Sequence, residues 1–263
     1  EQAKDADVIV LGVKNYSLES VARLIKDKIG DRATVIAMQN GVENQAVLPR
    51  YFSKVIYCIV SYNAWADEPG VIGYQKKGPL VFGALDPALA DETRRLAALF
   101  NLGVETVTTD RIADAAHSKL VINLANSLTT LIGHKIKPLT DPALFQTVLT
   151  AMTYEGMQVV KAAGYRESKL GGMPSWATLW AGAKLPRMVT KGLFEKNVKK
   201  MVLSSMAQDV IQRGGGESEL ETINGYILAL ATRHGVSTPV NRAVYEICRR
   251  EFARPDFAPW DIQ

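Results

Sequence analysis

Lys119 and Asn123 are the residues whose types and spacing best suit chemistry. They stand four apart in 111–132, a stretch with helical periodicity. On a helix, that spacing places an ammonium beside a side-chain amide one turn away. Ser127 continues the row, and Asn126 and Thr130 lie next to it. A second row, Leu120, Leu124, Leu128 and Leu131, must face a core. No charged side chain occurs between Lys119 and His134, so this helix is apolar on most sides. Polar groups in such a setting are hydrogen-bonded or line a cavity. A cation with an amide one turn below could hold a carbonyl oxygen and protonate it. Spacing leaves a structural alternative open, in which Lys119 reaches solvent and Asn123 bridges to a neighbouring helix.

Further candidates lie on either side. Lys14 directly follows a strand-like run, DVIVLGV, and Asn40 ends a second one at 33–38. Both stand at carboxyl ends of strands, where open α/β sheets bind ligands. Ser204 and Ser205 fall within 198–212, which reads as one helix, and small hydroxyl residues there usually serve packing. Ser218 and Glu221 have capping-box spacing. Glu219 then opens the helix 219–234, where its carboxylate complements the helix dipole or serves a ligand. Asn224-Gly225 inside that helix is locally costly and implies close approach of another backbone.

The elements that must hold these residues change character near residue 108. Up to 107, strands and helices alternate: a buried parallel strand at 7–13, a helix at 18–29, a strand at 33–38, a helical turn at 43–51 and a strand at 54–62. Short strands at 70–74 and 79–82 flank the turn Lys76-Lys77-Gly78 and suggest an antiparallel extension of a parallel sheet. A helix at 91–101 and a strand at 104–107 complete this part. Thr108-Thr109-Asp110 supply cap residues. Helices then follow at 111–132, 142–163, 198–212, 219–234 and 239–252, with a less regular stretch at 171–190 and a glycine stop at 214–216. The expected organisation is α/β over 1–107 and all-α over 108–263.

Composition excludes several classes. The chain has 263 residues, 47% apolar and 22% charged, with net charge +4. Lys and Arg are interspersed with acidic residues, which argues against nucleic acid and suits a small carboxylated or phosphorylated ligand. No apolar run reaches membrane-spanning length, and no signal peptide opens the chain, so a cytoplasmic protein is expected. Cys58 and Cys248 sit in apolar contexts and read as buried thiols, and the histidines show no metal-ligand spacing. No Gly-x-Gly-x-x-Gly occurs. Either no dinucleotide is needed, or the first half of a cofactor domain lies outside this chain.

The ordered motifs resemble the ketopantoate reductase (2-dehydropantoate 2-reductase) family along nearly the whole chain. These are VIVLGVK ending at Lys14, Met38-Gln39-Asn40-Gly41-Val42, Lys119-x-x-x-Asn123, Ser-Ser-Met-x-Gln-Asp from Ser204, Glu219-x-x-x-Ile-Asn-Gly, and a His-Gly-Val-x-x-Pro tail from His234. The resemblance implies part of a Rossmann-type dinucleotide-binding domain, followed by a helical domain like the C-terminal domain of 6-phosphogluconate dehydrogenase. DVIVLGVK would be the fourth strand of that cofactor domain. The implied reaction is hydride transfer from NADPH to the ketone of 2-dehydropantoate or a related 2-keto acid. Carried over, Lys119 is the general acid and Glu219 binds substrate hydroxyl and the catalytic machinery. Asn123 and Ser205 orient substrate, and Asn126 and Ser127 are further substrate-binding residues. Asn40 lies beside nicotinamide and substrate, and Lys14 near the cofactor. A homodimer is left open.

The sequence departs from the family at three positions. Ser127 replaces a second asparagine, Lys137 stands where a substrate-binding asparagine is expected, and Glu43 replaces a small glycine. The family's glycine-rich turn and its reader of the 2′-phosphate would lie upstream of Glu1. Two other readings stay open. One is a non-catalytic binding or dimerisation module, and the other is a hydroxy-acid or opine dehydrogenase of similar architecture.

Overall fold

The computed structural model describes residues 5–75, 78–171, 173–212 and 218–262. Lys76 and Lys77 of the expected turn, and the glycine stop at 214–216, lie outside the described residues. The chain divides into two compact units, Glu1–Lys119 with Ser168–Met173, and Leu120–Glu167 with Pro174–Gln263.

The first unit alternates strand and helix. β1 (Val8–Leu11) leads through α1 (Asn15–Ile29) to β2 (Thr34–Ala37), and α2 (Asn44–Val47) leads to β3 (Val55–Val60). Next come β4 (Ala64–Glu68), β5 (Val71–Tyr74), β6 (Leu80–Gly83), α3 (Ala90–Phe100) and β7 (Thr106–Thr108). Among the described residues, the main sheet runs β1-β2-β3-β6-β7. β1, β2 and β3 are parallel, β6 is antiparallel to β3, and β7 is parallel to β6. This is the Rossmann-like part that the resemblance implies.

Strand pairing differs from the expectation in one respect. β5 and β6 do not pair with each other, because β5 pairs with β4 in a separate hairpin. Pro69-Gly70 makes the tight connection, with Gly70 at φ 86°. Ala-Trp-Ala-Asp-Glu carries no β-branched residue, so β4 leaves little mark in the sequence. β1 also departs from the fully buried strand that its apolar run predicts. It ends the strand order, and Val10 is 48% exposed.

The first unit's core gathers Ile36, Ile56, Cys58, Leu80 and Phe82 from the sheet, with Leu96 and Ala97 from α3. Phe100 closes it edge-on against Phe82, with ring centroids 5.0 Å apart. α4 (Ile112–Asn123) leaves this unit and carries the chain onward.

The second unit is helical: α5 (Ala125–Leu131), α6 (Pro142–Ala162), α7 (Trp176–Lys184), α8 (Arg187–Lys200), α9 (Ser205–Ala207), α10 (Tyr226–His234) and α11 (Pro239–Phe252). The leucine row behaves as its period predicts, since Leu120, Leu124, Leu128 and Leu131 are all buried. The helix expected over 111–132 is interrupted at Leu124. There Ser127 Oγ donates to the Leu124 carbonyl at 3.0 Å, and Thr129 Oγ1 donates to Ala125 O at 2.9 Å. Hydroxyl bonds of this kind compete with the helix ladder and bend it.

Two further expectations are corrected. The stretch 171–190 is more regular than its glycines suggest, because Ser175 caps α7 and Pro186 introduces α8. The helix expected over 198–212 is split. α8 ends at Lys200, Ser204 caps α9 by accepting from Ala207 N at 3.1 Å, and Gln208–Gln212 continues as a π-helical turn.

Two side chains support these elements and can be tested. Glu155 on α6 caps α11, accepting from Val240 N at 3.0 Å and from Asn241 N and Nδ2 at 2.9 Å. Glu155→Ala leaves the backbone N–H groups of Val240 and Asn241 unmatched and should lower stability by about 1–3 kcal/mol in urea denaturation. His117 on α4 is buried, and its Nδ1–H donates to Ala113 O at 2.8 Å. Burial drives its pKa from 6.5 down to about 4, although the Ala113 carbonyl and Asp114 favour the charged ring. The unfolded chain therefore takes up this proton more readily than the folded one. Stability should fall as pH drops from 6.5 to about 4, by about 3 kcal/mol in full. The fall should be smaller in His117→Gln, followed by melting at stepped pH.

Candidate functional site

The turn after β2 is built by side-chain amides. Gln39 is buried, and its Nε2 donates to Leu11 O at 2.9 Å and Val13 O at 3.0 Å. It thus ties the end of β2 to the end of β1. Asn44 Nδ2 supports Gln39 Oε1 at 3.4 Å. Asn15 Nδ2 donates to Asn40 O at 2.7 Å, which fixes the backbone of Asn40. Gly41 then turns the chain at φ 83°, a conformation that disfavours a side chain. Backbone and neighbours leave the Asn40 amide as the projecting group of this turn.

Lys119 meets that amide. Its Nζ donates to Asn40 Oδ1 at 2.6 Å, within the first unit. The lysine is half-buried and ends on Asn40. Its charge also reaches β3: burial pushes the Cys58 thiol up to about 12, while Lys119 acts in the opposite direction. The arrangement holds a cation at the carboxyl ends of adjacent parallel strands.

Lys14 precedes α1 in extended conformation at φ −71° and ψ 158°. Two residues earlier, Gly12 has no atom within 4 Å of where a Cβ would stand. The β1–α1 turn therefore presents backbone with open space beside it and a lysine next to it. That combination suits a dinucleotide approaching strand ends.

The second unit holds the remaining candidates. Asn123, Asn126 and Ser205 are half-buried, and Glu219 is 3% exposed. Ser204 bonds Thr130 at 3.1 Å as well as capping its turn, while Ser205 is the first helical residue. Ser127, implied by the resemblance as a substrate contact, is wholly buried. Its hydroxyl donates to Leu124 O and accepts from Asn224 Nδ2, each at 3.0 Å. Lys137 bonds Pro259 O at 2.8 Å and Asp261 Oδ1 at 2.7 Å, which holds the C-terminal segment against the turn after α5.

The capping box expected at Ser218–Glu221 is only half present. Ser218 Oγ accepts from Leu220 N at 3.4 Å, whereas Glu221 accepts from Tyr245 OH at 2.6 and 2.8 Å. Asn224-Gly225 closes a π-helical turn, Glu221–Gly225. The group near Gly225 is not another backbone. It is Glu221 Oε2 and the Tyr245 ring, 3.0 and 3.5 Å from an added Cβ. Asn15, which holds the Asn40 carbonyl, is the residue here that sequence patterns do not mark.

Among the described residues, no group of three or more His, Cys, Asp and Glu could hold a metal, and no helix is long and apolar enough to cross a membrane.

Comparison with known proteins gives a consistent result. The family model "Ketopantoate reductase PanE/ApbA" matches residues 1–87, and "Ketopantoate reductase PanE/ApbA C terminal" matches 111–251. The 2-dehydropantoate 2-reductase of Archaeoglobus fulgidus is 28% identical over 251 residues, which cover 94% of this chain and 77% of that protein. A PanE/ApbA family ketopantoate reductase from Ralstonia eutropha JMP134 superposes with a TM-score of 0.74 at 24% identity, covering 95% of this chain and 76% of that one. A D-mandelate dehydrogenase with NADH and anilino(oxo)acetate superposes with a TM-score of 0.77 at 19% identity, covering 94% and 76%. The two structural likenesses speak for the fold. With both parts of the family model matched in order along most of its length, the chain belongs to the ketopantoate reductase PanE/ApbA family.

Proposed function

We propose that this protein reduces 2-dehydropantoate or a related 2-keto acid to the 2-hydroxy acid, using NADPH, with Lys119 as the general acid. The observation that carries this reading is the bond from Lys119 Nζ to Asn40 Oδ1, which aims an ammonium from the strand ends. Family membership supports the reaction class, and the open backbone at Gly12 beside Lys14 supports dinucleotide binding. The reduced nicotinamide, when bound, supplies the hydride.

The chain's own residues then have distinct tasks. Lys119 hydrogen-bonds the ketone oxygen and gives up a proton as negative charge grows there. A cation pre-positioned in a partly desolvated place needs little reorganisation during this step. The bond to Asn40 uses one of the ammonium's three donors and fixes the direction of the head group. Lys14 and Asn40 contact the cofactor. In the second unit, Asn123, Asn126 and Ser205 orient the substrate, and Glu219 binds its hydroxyl.

Two variants test these roles. In the full chain, with NADPH or NADH and a panel of branched 2-keto acids, Lys119→Met should lower kcat by about 100- to 10,000-fold. Its Kd for the reduced cofactor should stay within a few-fold of wild type. An unaffected rate, or no cofactor oxidation by wild type with any branched 2-keto acid, sinks the proposal. Asn40→Ala releases the lysine head and should lower kcat about tenfold or more. Equal turnover in Asn40→Ala would show that this bond does not prepare the amine.

A further inference from the structure

From the buried polar contacts of the second unit, we infer that Asn224 is a positioning residue. It acts through Ser127 to hold the Glu219-bearing segment in register with the end of the helix that carries Asn123. The inference rests on the functional reading above. Asn224 and Ser127 are both wholly buried, and they meet at 3.0 Å although 97 positions apart in sequence. Ser127 passes the contact on by donating to the Leu124 carbonyl, where α4 gives way to α5. Leu124 is itself locked over Gly156 of α6, where an added Cβ would lie 2.3 Å from its Cδ1. At the other end, Asn224 sits in the π-helical turn that begins two residues after Glu219, and Ile223 N bonds Glu219 O at 3.0 Å. The route from Glu219 to the residue after Asn123 is thus a continuous run of short bonds within one unit.

A purely stabilising role explains this arrangement poorly. Asn224 Oδ1 is buried without a hydrogen-bond partner, and an unmatched buried acceptor costs stability. Two apolar side chains of matched shape would pack the same interior without that cost. What the amide adds is a direction and a length. π-Helical turns also concentrate at functional sites, where they re-aim the residues around them.

Full chains carrying Ser127→Ala, Asn224→Ala and both substitutions test the inference. Ser127→Ala strands the Asn224 amide, whereas in Asn224→Ala the Ser127 hydroxyl keeps its bond to Leu124 O; each should lower the melting midpoint, Ser127→Ala more, and the double variant should regain part of the Ser127→Ala loss. Turnover should behave differently. Each single variant should lose about 10- to 100-fold in kcat, and the double variant should stay equally slow despite its recovered midpoint. Cofactor Kd should not move. Turnover that recovers with the midpoint would overturn the inference. Asn224→Asp keeps the shape and replaces the donor with an acceptor, so it serves if truncated variants do not fold, and unchanged kcat there also overturns the inference. Amide exchange gives a reading without substrate. Exchange over 220–226 should quicken in Asn224→Ala while α6 stays protected, and unchanged exchange over 220–226 counts against the lock. A wild-type chain that reduces no 2-keto acid defeats the functional reading, and the exchange result then decides the positioning role alone.

Discussion

The bond between the Lys119 ammonium and the Asn40 amide is the constraint around which the first unit is arranged. Its length, 2.6 Å, depends on parts brought from far along the chain. Gln39 joins the ends of two parallel strands, Asn15 holds the Asn40 carbonyl, and Gly41 supplies the turn. Without these, the amide would have no fixed direction, and a long lysine side chain would spread over many rotamers. Asn40 is a neutral amide, so it holds the ammonium by a hydrogen bond without adding a counter-charge.

The second unit solves a different problem. Its helices bury a near-continuous apolar interior, with Leu120, Leu124, Phe145, Met152 and Ile227 fully covered. Polar groups placed inside it meet in short relays, although Asn224 Oδ1 and Asn241 Oδ1 stay unmatched. Ser127 with Asn224 and Glu155 with Asn241 each join elements distant in sequence. Such contacts add little net stability, yet they discriminate strongly against slipped packing, because a slip leaves both partners unmatched.

Much of this was legible in the residues. The leucine row of 111–132 and its polar companion, the switch from strands to helices after Thr108, and the strand ending in Gln-Asn-Gly all follow from period and composition, although the compact units divide at Lys119 and not at 107. The rest depended on partners that no local pattern names. β4 lacks the branched residues that mark a strand, so the sequence pattern pairs β5 with β6, whereas its partner is β4. Helical spacing runs smoothly through Leu124, because the interruption comes from a serine hydroxyl rather than a glycine or proline. Ser204 sits in an apolar run that conceals its role as a cap. Glu221 has the spacing of a capping box, but Tyr245, brought close by packing, takes its carboxylate. In each case a long-range contact overrode a short-range preference.

The proposed reaction depends most directly on the amine at position 119. The most direct measurement replaces it and then restores it chemically in the full chain, as Lys119→Cys alkylated to an aminoethyl side chain. Native thiols interfere little: Cys58 and Cys248 are both buried, with Cys58 pushed up to about 12 and Cys248 also raised. The account predicts that the cysteine variant is folded, binds the reduced cofactor and is nearly inert toward 2-keto acids, and that alkylation returns a substantial part of the turnover. Alkylation that restores the amine without raising turnover, in a protein that still binds cofactor, would contradict it.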